Sequence, residues 1–186
     1  MQTIETTFEK MTEVKRSKFL TYLVPIVEHK DLQKKLKEKH PKANHLVYAL
    51  RYLNEQDQLV ENYSDDHEPK GCAGMPTLNV LRGEALINCA VLTVRYFGGI
   101  KLGTGGMARA YALAVKNVIS EATLIFYEKE VSYVFDTSYS DVDKTLHTLK
   151  KFGILQYERK FGVNNVKWRI TGSEKSIEQF KIYVSD

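Results

Sequence analysis

A chain of 186 residues, 43% hydrophobic and 27% charged, has room for one medium domain or two small ones and the make-up of a folded globular protein rather than a disordered one. No apolar run approaches the roughly 18 residues that cross a bilayer. The start MQTIETTFEK carries neither the basic head nor the apolar core of a secretion signal, and two cysteines, Cys72 and Cys89, make neither a disulfide framework nor a zinc set. A cytoplasmic protein with reduced thiols and no membrane partner is therefore expected. The formal charge of +4 permits nucleic-acid binding without requiring it, because the excess is spread thinly: net +3 up to Tyr127 and +1 beyond it.

In chain order, residues 3–27 read as two strands joined by a turn near Glu13, with Pro25 at a strand end. Residues 28–40 read as a helix, Leu32 and Leu36 four apart on one face and Pro41 closing it. Residues 45–53 are strand-like, 54–58 a polar turn, and 62–76 a loop dense in Asp, Gly and Pro, followed by a short helix over 76–82. A buried strand is expected over 87–94, a short apolar run rich in β-branched residues. A long helix then runs to about Glu121, with Met107, Tyr111, Ala114, Val115 and Val118 at helical spacing.

The last third changes character. A strand over 130–137, a helix over 141–151 closed by Gly153, a hairpin over 154–171 and a helix capped by Ser173 give the order βαββα, a split-βαβ arrangement without its last strand. The fold class expected is α+β in two domains, residues 1–127 and 128–186.

Between the buried strand and the long helix lies RYFGGIKLGTGGMARAY, residues 95–111. Gly98, Gly99, Gly103, Gly105 and Gly106 place a glycine-rich turn at a helix start, where backbone N–H groups favour an anion and glycine lets a ligand approach closely. Arg95, Lys101 and Arg109 add positive charge. These eight residues form a candidate phosphate site, although such turns also serve only to pack a helix on a sheet. No GK[ST] follows the glycines and no dinucleotide fingerprint is present, so neither a tight ATP nor an NAD site is supported, and no cofactor is expected.

A second constellation is the loop containing Asp65, Asp66, His67 and Glu68, with His45 as a further titratable group. Adjacent carboxylates can converge on a cation or move protons. They also bond local backbone N–H groups and set turns, or pair with Arg95 or Arg109. The structural role is the stronger reading, and no metal is assigned. Trp168, Tyr157, Phe161 and Tyr183 could stack bases but read better as core.

Four motifs carry a resemblance: SKF at 17–19, ANH at 43–45 with YALR after it, SDDHEPKGCAGMP, and VRYFGGIKLGTGGMARAY. With these the chain resembles the Impact/YigZ family. The resemblance implies a first domain with the ribosomal-protein-like βαβ fold of elongation factor G domain IV. It implies a second, ferredoxin-like domain similar to elongation factor G domain V. It also implies a role in translation: eukaryotic relatives contest activation of a translation-initiation-factor kinase, and bacterial members are thought, by analogy of fold, to bind RNA or ribosomes.

The family's site residues fall on His45, on Asp65, Asp66, Glu68 and Pro69, and on Arg95, Tyr96, Phe97, Gly98, Gly99, Gly103, Gly105, Gly106, Arg109 and Tyr111. This chain departs at His67, where the family has glycine, and at Cys72, where it has threonine. It also ends before a fourth strand of the tail domain, so an open sheet edge is expected. Three functions follow as expectations. The first is a non-enzymatic RNA- or ribosome-binding protein using the glycine turn. The second is a metal-assisted hydrolase or phosphoryl-transfer enzyme using Asp65, Asp66 and Glu68. The third is a protein-interaction regulator of translation. The oligomeric state is open.

Overall fold

A computed structural model describes residues 1–185, which form two compact units divided after Tyr127. The first is built on a five-stranded antiparallel sheet. Its strands are β2 (Phe8–Val14), β3 (Ser17–Pro25), β4 (His45–Leu53), β5 (Leu59–Ser64) and β6 (Cys89–Tyr96), in the spatial order β2-β3-β6-β4-β5. The short strands β1 (Gln2–Thr3) and β7 (Ile125–Phe126) pair separately.

The central strand β6 is buried from Cys89 through Arg95, which is why its sequence is nearly continuous in apolar residues instead of alternating. Its even positions, Ala90, Leu92 and Val94, pack with Leu36 of α1 (His29–Lys39) and with Tyr22, Val24, Leu46 and Leu50. On the other face lie α2 (Gly74–Gly83) and α3 (Thr104–Ser120). There Val91 packs with Leu23, Ala49, Leu78, Leu81, Val115 and Val118, while Phe19 and Val47 pack with Ala110, Tyr111 and Ala114. Arg95 shares this second face, because side chains two apart along a strand point the same way.

The second unit holds β8 (Glu130–Thr137), α4 (Val142–Lys151), β9 (Gln156–Phe161), β10 (Val166–Ser173) and α5 (Glu174–Ser185). β10 lies between β8 and β9 and is antiparallel to both. Val166, Trp168 and Ile170 alternate inward against Leu149, Ile154, Ile177 and Phe180, and the Trp168 Nε1–H donates to Thr137 Oγ1 at 2.9 Å. Gly153 has φ +70°, the left-handed cap expected of it, and Ser173 Oγ accepts from the Ser176 N–H at 3.2 Å.

The α+β class is as expected, with three differences in detail. Residues 59–64 form a strand, not part of a loop; LVENYS is an edge strand with no fully buried position, so it carries no core periodicity. The helix of residues 74–83 starts two residues before Pro76, which occupies its first turn. Of the four candidate stacking aromatics only Trp168 is core, whereas Tyr157, Phe161 and Tyr183 are exposed.

His29 is buried against Tyr48 with its Nε2 unpartnered, and burial pushes its pKa below the ordinary 6.5. The folded protein therefore disfavours the imidazolium. Below about pH 6.5 the unfolded chain takes up a proton that the native state refuses, so stability falls with pH through that window. In His29→Phe, the drop in Tm between about pH 7.5 and about pH 5.5 is expected to be smaller than in the parent, as read by calorimetry.

Candidate functional site

The loop of residues 65–73 leaves β5 and is tied down by its own carboxylates. Asp65 accepts from the N–H groups of Gly71 (2.8 Å), Ala73 (3.0 Å) and Gly74 (2.8 Å), closing the loop and capping α2, whose N-cap residue Ala73 has no side-chain acceptor. Asp66 accepts from the Leu46 N–H at 2.6 Å, and its carbonyl accepts from His45 Nδ1 at 2.7 Å. Because a carbonyl can only accept, His45 carries its proton on Nδ1, and Nε2 is left facing Glu68 Oε2 at 3.6 Å.

Glu68 is the centre of the arrangement. It is 7% exposed, and its Oε1 accepts from Arg95 Nη1 at 2.5 Å and from the Tyr111 hydroxyl at 2.8 Å. His45 and Arg95 face each other across the β4–β6 ladder, so two neighbouring strands bring both side chains to one buried acid. Burial and the adjacent Glu68 charge raise the Tyr111 pKa far above its ordinary value, which keeps the phenol protonated and donating. The Arg95 guanidinium also lies 5.6 Å from the ring centre of Phe19 and 5.9 Å from that of Phe97.

These contacts divide the candidate residues into two sets. His45, Asp65, Asp66, Glu68 and Arg95 are brought together, but facing inward. Arg95 is 4% exposed and engaged by Glu68, which corrects the expectation that it faces a phosphate. Of the two anticipated pairings between acidic loop and basic turn, the one with Arg95 forms; Arg109 is exposed on α3 and has no ion-pair partner among the described residues. Asp65, Asp66 and Glu68 each accept from donors of the protein itself instead of converging on a shared empty point.

The glycines also divide. Gly99 (φ +84°) and Gly103 (φ +71°) adopt the left-handed region that favours glycine, and Gly103 is the N-cap of α3. Gly105 and Gly106 lie in the first turn of that helix. Gly98 serves packing: a Cβ there would fall 2.0 Å from the Arg16 carbonyl carbon, so the residue lies directly on the β2–β3 turn, and its N–H donates to Ser17 Oγ at 3.1 Å. The segment is exposed at Phe97, at residues 99–101 and again at residues 103–105, with Lys101 and Arg109 unpaired among the described residues.

Two residues escaped sequence reasoning. Asn44 accepts the Phe97 N–H at 2.8 Å through Oδ1 and donates its own N–H to the Arg95 carbonyl, fixing the end of β6 from beside the sheet. Ser17 is fully buried and takes the Gly98 N–H. Both sit inside the ANH and SKF motifs, the only signal that marked them. Of the two departures, His67 does occupy a left-handed position, with φ +68°, next to Asp66 at φ +44°. Cys72 is half-buried with a free thiol.

A five-stranded sheet whose central strand runs into a glycine turn clamped by a loop glutamate defines a recognisable class of domain. The Impact N-terminal domain model matches residues 15–119, more than half of the chain, and the protein belongs to the IMPACT family. An IMPACT family member of Haemophilus influenzae is 33% identical over 171 residues, covering 90% of this chain and 82% of that protein. The family member YvyE of Bacillus subtilis is 28% identical over 189 residues, covering 99% and 85%. A solved structure described only as a hypothetical protein superposes with a TM-score of 0.70 at 25% identity, across all of this chain and 91% of that one. No helix among the described residues is long and apolar enough to cross a membrane.

Removing the Glu68 carboxylate leaves a buried guanidinium without its counter-charge, which costs about 3–5 kcal/mol in comparable sites. Glu68→Ala is expected to lose stability on that scale in urea unfolding, and Glu68→Gln, which keeps an acceptor, to lose less. His67→Gly relieves left-handed strain of about 1–2 kcal/mol but loosens the unfolded chain by about 0.4–1 kcal/mol. A net gain of up to about 1.6 kcal/mol is expected, visible as a raised Tm.

Proposed function

We propose that this protein is a translation-associated RNA-binding protein, contacting the phosphate backbone of RNA or the ribosome through the start of α3. The observation that carries the reading is the charge of the central segment. No Asp or Glu occurs between Glu84 and Glu121, while Lys101, Arg109 and Lys116 lie exposed and unpaired among the described residues along the glycine turn and α3. The first turn of α3 carries Gly105 and Gly106 and has no side-chain cap, so its N–H groups add to the attraction for an anion. Arg95, held by Glu68, acts behind this surface by positioning the turn.

The fold expectation belongs to the same proposal: a first unit like elongation factor G domain IV and a second like its domain V fit a protein that works beside the ribosome. Fold likeness alone does not fix a function, so the test is chemical. Each phosphate contact contributes about 0.7 to the slope of log affinity against log salt for a single strand. Lys101→Ala with Arg109→Ala is expected to lower that slope by about 1.4, measured by anisotropy on a labelled RNA and by co-sedimentation with ribosomes. Unchanged affinity and slope would remove these residues from the interface. Absence of binding by the parent protein at low salt would overturn the RNA reading and favour a protein partner in translation control.

A further inference from the structure

The β2–β3 hairpin turns through two residues, Lys15 and Arg16, between the paired residues Val14 and Ser17. Both have positive φ, +47° and +65°, the backbone of a type I′ turn that Asn-Gly makes with least strain. Neither lysine nor arginine is among the residues that tolerate this region well. Strain accepted at a turn tip invites a functional explanation, and the structure supplies the neighbours for one. Gly98 rests on the Arg16–Ser17 peptide, so the strained hairpin tip and the glycine turn form a single surface.

The ring beside that contact is Phe97. It is 46% exposed although large and apolar, with Ile100 beyond it 42% exposed. Phe97 is held from behind: its N–H is fixed by Asn44, and its ring lies 5.9 Å from the buried Arg95 guanidinium, itself held by Glu68. An aromatic ring held on one side and open on the other is a stacking platform. Around it Lys15, Arg16 and Lys101 are exposed and have no partner among the described residues. The two segments contain no acid, from Val14 to Val27 or from Ala85 to Ser120; the nearest in sequence is Glu13, opposite Lys18 across the hairpin.

From this charge and this ring we infer that the hairpin tip and the glycine turn bind single-stranded RNA, with one unpaired base stacked on Phe97 and the flanking phosphates on Lys15, Arg16 and Lys101. Stacking on an aromatic needs a base outside a duplex, which selects single strands and tolerates any sequence. The inference rests on the RNA reading above and extends it to a strand type and to three residues outside the helix start.

The test uses the full chain and three probes: a labelled oligouridylate of about ten nucleotides, an RNA duplex of the same length, and a ribose-phosphate oligomer lacking bases. Phe97→Leu keeps an apolar side chain and removes the ring face. It is expected to weaken oligouridylate binding about tenfold, within the range of a lost stacking contact, while leaving the salt slope and the base-free oligomer's affinity unchanged. Lys15→Asn with Arg16→Gly suits the turn, so the protein stays folded with a Tm no lower than the parent's. This pair is expected to lower the salt slope by about 1.4.

Parent binding that neither change affects would overturn this inference and leave the Lys101 and Arg109 reading standing. Tighter binding of the duplex than of oligouridylate would overturn the stacking role. Failure of the parent to bind any of the three probes at low salt would remove both readings together.

Discussion

The buried pair of Glu68 and Arg95 is the contact on which the rest of this domain's functional end depends. Glu68 sits on a nine-residue loop with three left-handed residues, Asp66, His67 and Gly71, and Arg95 sits near the end of the most buried strand. A guanidinium at 4% exposure is tolerable only with its charge met. Glu68, with Tyr111 as a second donor and His45 close by, meets the charge through Nη1, while the buried Nε is left without a partner among the described residues. The loop is thereby anchored to the sheet and to α3 at once. Asp65 and Asp66 then fix the two sides of the loop through backbone N–H groups, at α2 and at β4.

The acid and base groups around this pair divide their work. The acidic residues of the loop work inward, on the backbone N–H groups of Leu46, Gly71, Ala73 and Gly74 and on Arg95. The basic residues that remain face outward, on a hairpin tip, a glycine turn and one helix. The buried cluster and the exposed surface are connected through Arg95, whose guanidinium meets Glu68 on one side and the rings of Phe19 and Phe97 on the other.

Much of the frame was legible in the residues. The helix over 28–40, the strand over 45–53 and the long helix ending near Glu121 follow from periodicity and stop signals, because each has one clear apolar face or run. β5 was not legible: an edge strand with no buried position is sorted by its partner's backbone, not by its own pattern. At the site, sequence placed the right residues together in motifs but could not separate those facing inward from those facing outward. Arg95 and Lys101 look alike as charges in a string. What separates them is that Arg95 continues the alternation of Val91 and Thr93 onto the α3 face, whereas Lys101 lies beyond the last strand residue. The role of Gly98 was hidden for a similar reason, since the backbone it rests on belongs to a turn some eighty positions earlier.

That same distance bears on how the chain is made. β6 is the middle of the sheet, and it pairs on one side with β3, Lys18 opposite Tyr96, and on the other with β4. During synthesis the β2–β3 and β4–β5 hairpins are complete well before the strand that joins them exists. At about 5–20 residues per second, several seconds pass in which two open strand edges await a partner. Unpaired edges of this kind are templates for wrong pairing. The nascent chain is most vulnerable in that interval, and it closes only when the segment carrying Arg95 and the glycine turn arrives. The last piece of the sheet to be made is therefore also the piece that completes the proposed binding surface, so an unfinished sheet and an unfinished surface are one and the same species.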